Sequence, residues 1–370
     1  MNPLQALADY GQSPWLDNIR RRMLENGALQ EIIHTDGIKG ITSNPSIFRK
    51  AIVDSADYDA ALEILAREDG LDGKAVYERL ALTDISNAAD LMQPVFEATS
   101  GRDGYVSIEV SPHLAADTEG TIAEAQRLWQ ALNRANIMIK VPATPAGLPA
   151  ITALIREGIN VNVTLLFSVR VYEQVAEAFL LGLEQRAADG QVLGGEASVA
   201  SFFVSRVDSA VDGLIEAAGR GQTLLGRAAI ANAKIAYQRY LALCATDRWK
   251  KLAAQGAQTQ RLLWASTSTK NPAYSDVRYI EELIGQDTVN TIPPATLDAF
   301  RDHGRVQSSL TYEIRQAETL MTELAHCGID IEVVADKLLE QGLQSFTRAF
   351  DALLADVATA HQSVAVGKGD

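Results

Sequence analysis

The chain has 370 residues, 47% of them hydrophobic, with mean hydropathy near zero, so it can bury a large core as one big α/β barrel or as two ordinary domains. A formal charge of -14 and an isoelectric point near 4.9 argue against an electrostatic nucleic-acid binder and against attachment to an anionic membrane surface, but they leave room for a phosphorylated metabolite held by a local Arg/Lys cluster. No positively charged start leads into an apolar stretch and no run approaches a membrane span, so the expected place of action is the cytoplasm. Cys244 and Cys327 lie far apart in the sequence, which suits a reducing compartment and gives no metal-ligand spacing.

Taken in chain order, short apolar segments alternate with long helical ones, the signature of a parallel sheet with crossover helices. Strands are expected at 13–19, 40–44, 104–111, 136–143, 160–167, 197–207, 261–266 and 288–293. Helices are expected at 58–67, 72–97, 118–133, 148–157, 169–188, 227–252, 276–284 and 295–303. Eight such units in one domain's length predict a single α/β domain over 1–361, a (β/α)8 TIM barrel. The long helical stretches after the second and sixth strands read as insertions into that barrel. A last helix, 331–361, carries Val334, Leu338, Leu339, Leu343, Phe346, Phe350, Leu353 and Leu354 at helical spacing and is expected to cover it, with 362–370 as a frayed tail.

Strand parity then assigns faces. In the third strand Ser107 and Glu109 oppose Ile108 and Val110; in the fifth, Asn160, Asn162 and Thr164 oppose Val161, Val163 and Leu165. The apolar parity must meet the helices, so the polar one points into the barrel, where it needs partners or a ligand. Between these strands lies Ile137-Met138-Ile139-Lys140-Val141-Pro142, an apolar run interrupted by one cation. Taken alone, Lys140 either snorkels to solvent from the strand end or sits desolvated, where an amine loses its proton more readily and attacks carbonyls to form Schiff bases. Glu109, one strand earlier, is its obvious ionic mate. In the sixth strand Ser201 and Phe203 share a parity, and Arg206 comes at the expected strand end, either paired with Asp208 or a helix carboxylate or free to clamp a phosphate at the face where such barrels keep their active sites. The five histidines, His34, His113, His303, His326 and His361, are scattered, and no Gly-rich nucleotide loop follows a strand, so neither a metal nor another cofactor is expected.

Five ordered segments together resemble the transaldolases, Schiff-base enzymes of the pentose phosphate pathway: 41–46 (ITSNPS), 107–110 (SIEV), 139–144 (IKVPAT), 158–168 (GINVNVTLLFS) and 201–206 (SFFVSR). The stretches 263–274 and 290–297 are similar to the longer bacterial branch of that family. The resemblance implies Lys140 as the Schiff-base lysine, Asp17 as the acid/base on the substrate hydroxyl and Glu109 as a carboxylate working through a water. It implies Asn44 and Asn162 as holders of the dihydroxyacetone hydroxyls, with Thr42, Thr164, Ser201 and Phe203 in the same pocket and Arg206 on the phosphate. Where short-form members carry a second phosphate-binding arginine, this chain has Thr267-Ser268-Thr269-Lys270, which leaves Lys270 as the candidate for that charge, a point charge in place of a planar fork. Phe202 stands where many relatives have proline.

The reaction so implied moves a dihydroxyacetone unit from sedoheptulose 7-phosphate to glyceraldehyde 3-phosphate, giving erythrose 4-phosphate and fructose 6-phosphate. The partners are then phosphorylated sugars, with no nucleic acid and no membrane; the chain is expected to act as a monomer or homodimer. The nearest rival is an aldolase of the same superfamily that cleaves fructose 6-phosphate, whose members usually have Tyr where this chain has Phe203. A catalytically silent phosphosugar-binding barrel is the third reading, and it would tend to lose Lys140, Glu109 or Asp17, all of which are present.

Overall fold

In the computed structural model, which describes residues 2–366, eight short strands follow one another around a ring: β1 (Gln12–Asp17), β2 (Gly40–Thr42), β3 (Tyr105–Glu109), β4 (Ile137–Pro142), β5 (Val161–Leu166), β6 (Ser198–Phe203), β7 (Arg261–Ala265) and β8 (Thr288–Ile292). Each pairs in parallel with its neighbours in sequence and β1 closes on β8, with Trp15 opposite Thr291, which is the TIM barrel. The strands form where the sequence is apolar enough to be buried on both faces: every residue of β4, β5, β6, β7 and β8 is buried. Closure between β1 and β2 depends on Gly40, because a β-carbon there would meet the Trp15 ring at 2.4 Å.

A polar network fixes the N-terminal end of the barrel. Arg261 pairs with Asp103 at 2.9 Å, and Asp103 also accepts from the Ser13 hydroxyl at 2.8 Å and the Trp15 indole at 3.1 Å. All four side chains are buried, and each carboxylate oxygen is used, the condition under which a buried ion pair is tolerated.

Most expected elements stand within a few residues of their expected bounds, and three differ. The sixth strand stops at Phe203, and 205–207 open the helix Ser205–Ala218 instead. Val204 and Val207 look like strand residues, but Val207, Val211 and Ile215 repeat every four residues and bury one helix face. The helix expected over 227–252 is broken after Cys244, where the Thr246 hydroxyl accepts from the Trp249 N–H and starts a new helix, Asp247–Ala253. Only Arg278–Glu281 is helical within 276–284.

The final helix, Ile331–Val366, continues into the segment expected to be a frayed tail, and residues 367–370 lie outside the described residues. It docks on the first and third of the three helices that follow β2, Pro45–Val53 and Gly73–Ala98, through an aromatic row, Phe48 to Tyr77 at 5.7 Å and Tyr77 to Phe350 at 5.8 Å, both edge-on. Among the described residues no helix is long and apolar enough to cross a membrane.

The strand alternation of β5 breaks near its end. Its register with β6 shifts between Val163 and Leu166, and Leu165 takes a left-handed φ of 64°, a conformation that costs a branched residue about 1–2 kcal/mol. Leu165, expected to face the surrounding helices with Val161 and Val163, is turned instead toward the covering helix, so close that a β-carbon on Gly342 would stand 3.0 Å from Leu165 Cδ2.

Candidate active site

Parallel pairing places Glu109 beside Lys140 and Lys140 beside Asn162 on three successive strands. Lys140 is 6% exposed; its Nζ lies 2.5 Å from Glu109 Oε1 and donates to the Ser43 carbonyl at 2.9 Å. Snorkelling is thereby ruled out: the amine stays inside the ring, held between the ends of β2 and β3. Burial pushes the Glu109 carboxyl up, against the opposing pull of Lys140, and Asp17 pushes it further in the same direction.

Asp17 is the last residue of β1, level with Thr42 of β2. Its Oδ1 accepts from the Thr42 hydroxyl at 2.7 Å, and the Thr42 and Thr291 hydroxyls lie 2.6 Å apart. Since Thr42 gives its proton to Asp17, Thr291 is the donor to Thr42, and the chain of hydroxyls orients the carboxylate. Burial raises the Asp17 carboxyl above its ordinary range, while the Thr42 hydrogen bond and the Lys140 charge act the other way.

A cavity of about 610 Å³ opens at the C-terminal ends of the strands, large enough for a sugar phosphate. Asp17, Thr42, Asn44, Lys140, Thr164, Ser201, Phe203, Arg206 and Lys270 line it. Thr164 Oγ1 is buried with no hydrogen-bond partner, an open position for a ligand hydroxyl. Asn44 caps the helix Pro45–Val53 by accepting from Ile47 N–H at 3.0 Å, which leaves its amide nitrogen to donate into the cavity.

Two of the expected residues stand behind this cavity. Asn162 is fully buried, donating to the Ser107 hydroxyl at 3.1 Å and accepting from Ser201 at 2.7 Å, which leaves one amide hydrogen and one oxygen lone pair open. Glu109 faces a smaller pocket on the far side of the lysine, with Ser43, Asn44, Tyr77 and Phe350.

Arg206 is on the first turn of a helix, not at a strand end, and it does not pair with Asp208. Its guanidinium lies 5.6 Å over the Phe203 ring, itself 5.2 Å from Phe167. Lys270 donates to Ser268 Oγ at 2.6 Å; burial and the nearby Arg206 charge push its amine down, and Asp17 opposes them. Sequence reasoning placed no other basic residues at the mouth, but Arg20 and Lys50 line the cavity too, on the β1–β2 side of the ring. None of these four cations forms an ion pair among the described residues.

Also missed were Thr291, Ser266 and Ser268, and Ser345 and Phe346 of the covering helix. The inward parity of Thr291 on β8 was the one available signal; the others depend on how loops and the last helix come to rest.

The site thus joins a buried amine, two carboxyls raised by burial, a buried Thr164 hydroxyl with no hydrogen-bond partner and cations that form no ion pair among the described residues. The chain matches the Transaldolase/Fructose-6-phosphate aldolase family over residues 14–357. A transaldolase of Trichodesmium erythraeum is 50% identical over 367 residues, covering 95% of this chain and 96% of its own. Transaldolase 2 of a Nostoc species is 49% identical, covering 96% of each chain. A transaldolase of Thiobacillus denitrificans is 46% identical over 96% of this chain and 100% of its own. The chain belongs to the transaldolase/fructose-6-phosphate aldolase family.

Proposed function

We infer that the chain carries out the transaldolase reaction through a Schiff base on Lys140, moving a dihydroxyacetone unit between phosphorylated sugars in the cytoplasm. The observation that supports this most is the buried Lys140 amine in contact with a carboxyl whose own proton affinity burial has raised. Glu109 is thereby suited to take a proton from the amine, which then attacks the ketose carbonyl carbon. The carbinolamine loses its oxygen as water, with Glu109 passing protons through a water in the small pocket behind the lysine. The iminium that results is the electron sink.

Asp17 removes the proton from the hydroxyl on the departing carbon. The carbon–carbon bond breaks, its electron pair goes into the enamine, and the aldose leaves. Asn44, Thr164 and Ser201, with Asn162 behind Ser201, hold the three-carbon hydroxyls so that the enamine stays bound until an acceptor aldehyde arrives. The enamine carbon attacks that aldehyde, Asp17 returns the proton, and water releases the new ketose. Arg206 and Lys270 hold the phosphate. Phe203 offers an apolar ring and no hydroxyl at the position where cleaving aldolases usually have tyrosine, which supports transfer over release.

Incubation with fructose 6-phosphate, reduction with borohydride and peptide mass spectrometry should find a three-carbon adduct on Lys140. A label on another lysine, or turnover without any label, would overturn the assignment. Lys140→Arg should be inactive, since a guanidinium keeps its proton and cannot attack.

A further inference from the structure

The helix Ser205–Ala218 leaves the mouth with Arg206 in its first turn and carries two buried carboxylates one turn apart, Asp208 and Asp212. Neither forms an ion pair among the described residues. Asp208 accepts from the Ala229 N–H and the Tyr279 hydroxyl, both at 2.7 Å. Asp212 repeats the pattern with the Gly226 N–H at 2.7 Å and the Tyr274 hydroxyl at 2.8 Å. Each carboxylate therefore bridges the same two segments, the start of the helix Ala228–Cys244 and the stretch after β7 that bears Lys270.

That stretch is also tied at its beginning, where Ser266 meets the Ser205 hydroxyl at 2.9 Å and Thr267 donates to the Thr291 carbonyl at 3.0 Å, and beyond Tyr274, where Asp276 meets His303 at 2.9 Å and the Tyr279 carbonyl accepts from Asn290 at 3.4 Å. Between 269 and 275 its bonds are internal: Thr269 to the Ser275 carbonyl at 2.8 Å, Ala273 N–H to Asn271 at 3.0 Å, and Tyr274 N–H to the Asn271 carbonyl at 3.1 Å. The Tyr274 ring fits against Gly226, which has a φ of 66° and where a β-carbon would lie 2.5 Å from the ring. The Arg278 guanidinium covers the ring 4.8 Å from its centroid. So much construction around an outer-loop tyrosine fixes the far end of the segment carrying Lys270.

We propose that Tyr274 and Tyr279, acting through Asp212 and Asp208, are positioning residues that hold Lys270 opposite Arg206, so that a helix turn and a loop make one phosphate grip. This rests on the reading of Lys270 as a phosphate ligand. The grip would act on binding, equally in ground and transition states, so it should move KM and leave kcat alone.

The test compares wild type, Lys270→Ala, Tyr274→Phe and the double variant, with glyceraldehyde 3-phosphate and unphosphorylated glyceraldehyde as acceptors, after thermal melting has shown each variant folded. Tyr274→Phe should raise KM for the phosphorylated acceptor about fivefold, leave kcat and the KM for glyceraldehyde unchanged, and add nothing in the Lys270→Ala background. If Lys270→Ala leaves the phosphorylated KM unchanged, the phosphate role of Lys270 fails and the clamp with it. If Lys270→Ala raises that KM but Tyr274→Phe does not, or adds its full effect to the double variant, or weakens both acceptors alike, the positioning role alone is overturned. Asp212→Asn provides a second variant on the same bond and should follow Tyr274→Phe.

Discussion

Replacing Glu109 with glutamine keeps the shape of the side chain and removes both its charge and its proton transfer. The Lys140 amine would lose an anionic partner 2.5 Å away in surroundings where the two side chains are 7% and 10% exposed. Breaking a buried ion pair from one side costs about 3–5 kcal/mol, and the glutamine oxygen can still accept one hydrogen bond worth about 1 kcal/mol, so a net loss of roughly 2–4 kcal/mol is expected. For a chain of 370 residues this corresponds to a fall in Tm of roughly 3–5 °C. The catalytic effect should be larger: adduct formation should slow by about 10²–10⁴, the usual value of a positioned acid/base. Mixing with fructose 6-phosphate, quenching with borohydride at timed intervals and measuring the mass of the Lys140 peptide reads that step directly. An adduct that forms at the wild-type rate while turnover collapses would remove Glu109 from imine chemistry.

Asp17→Ala should show the complementary pattern, forming the covalent adduct but releasing aldose about 10²–10⁴ times more slowly, as seen by coupling the freed aldose to a dehydrogenase; rapid release would exchange the two carboxylates' roles. Arg206→Ala should raise KM about tenfold or more for phosphorylated donors and much less for unphosphorylated ones, because its charge-assisted bonds go to the phosphate; equal effects on both would refute it. Burial pushes Asp208 up to about 6 from its ordinary 3.8, so the folded chain holds that proton more tightly than the unfolded one. Its contribution favours folding in full below pH about 4 and is lost as pH rises through about 6, a difference of ~3 kcal/mol. Asp208→Asn should flatten that part of a denaturation-versus-pH curve, and an unchanged slope would refute the burial argument.

The buried row on β3, β4 and β5 was legible because successive strands of a parallel barrel pair with each other and parity decides which side chains face in. Those two rules place Glu109, Lys140 and Asn162 side by side, as the strand register has them. Asp17 and Thr42 came instead from the resemblance to the transaldolases, and the structure sets them side by side on β1 and β2. What stayed hidden depends on contacts between distant segments. Leu165 leaves its alternation where the covering helix approaches at Gly342, a packing event across well over a hundred residues. Arg206 read as a strand residue because Val204 and Val207 flank it, and only burial of Val207, Val211 and Ile215 on one face shows the helix. Arg20 and Lys50 resemble ordinary surface cations in the sequence; their lack of carboxylate partners is visible only in three dimensions. The Ser43 carbonyl that receives the Lys140 amine is a backbone group, for which side-chain patterns carry no signal.

The covering helix gives this site a direction in time. Asp17, Glu109 and Lys140 are all made before β5, yet the wall formed by Ser345 and Phe346 is made only after β8. β1 cannot close its ring until β8 has emerged, and the mouth cannot be roofed until the covering helix has followed it. A chain without that helix would therefore lack one wall of the cavity over Lys140. During synthesis the mouth gains its last wall only when the covering helix docks, so placing that helix and sheltering the site are one event.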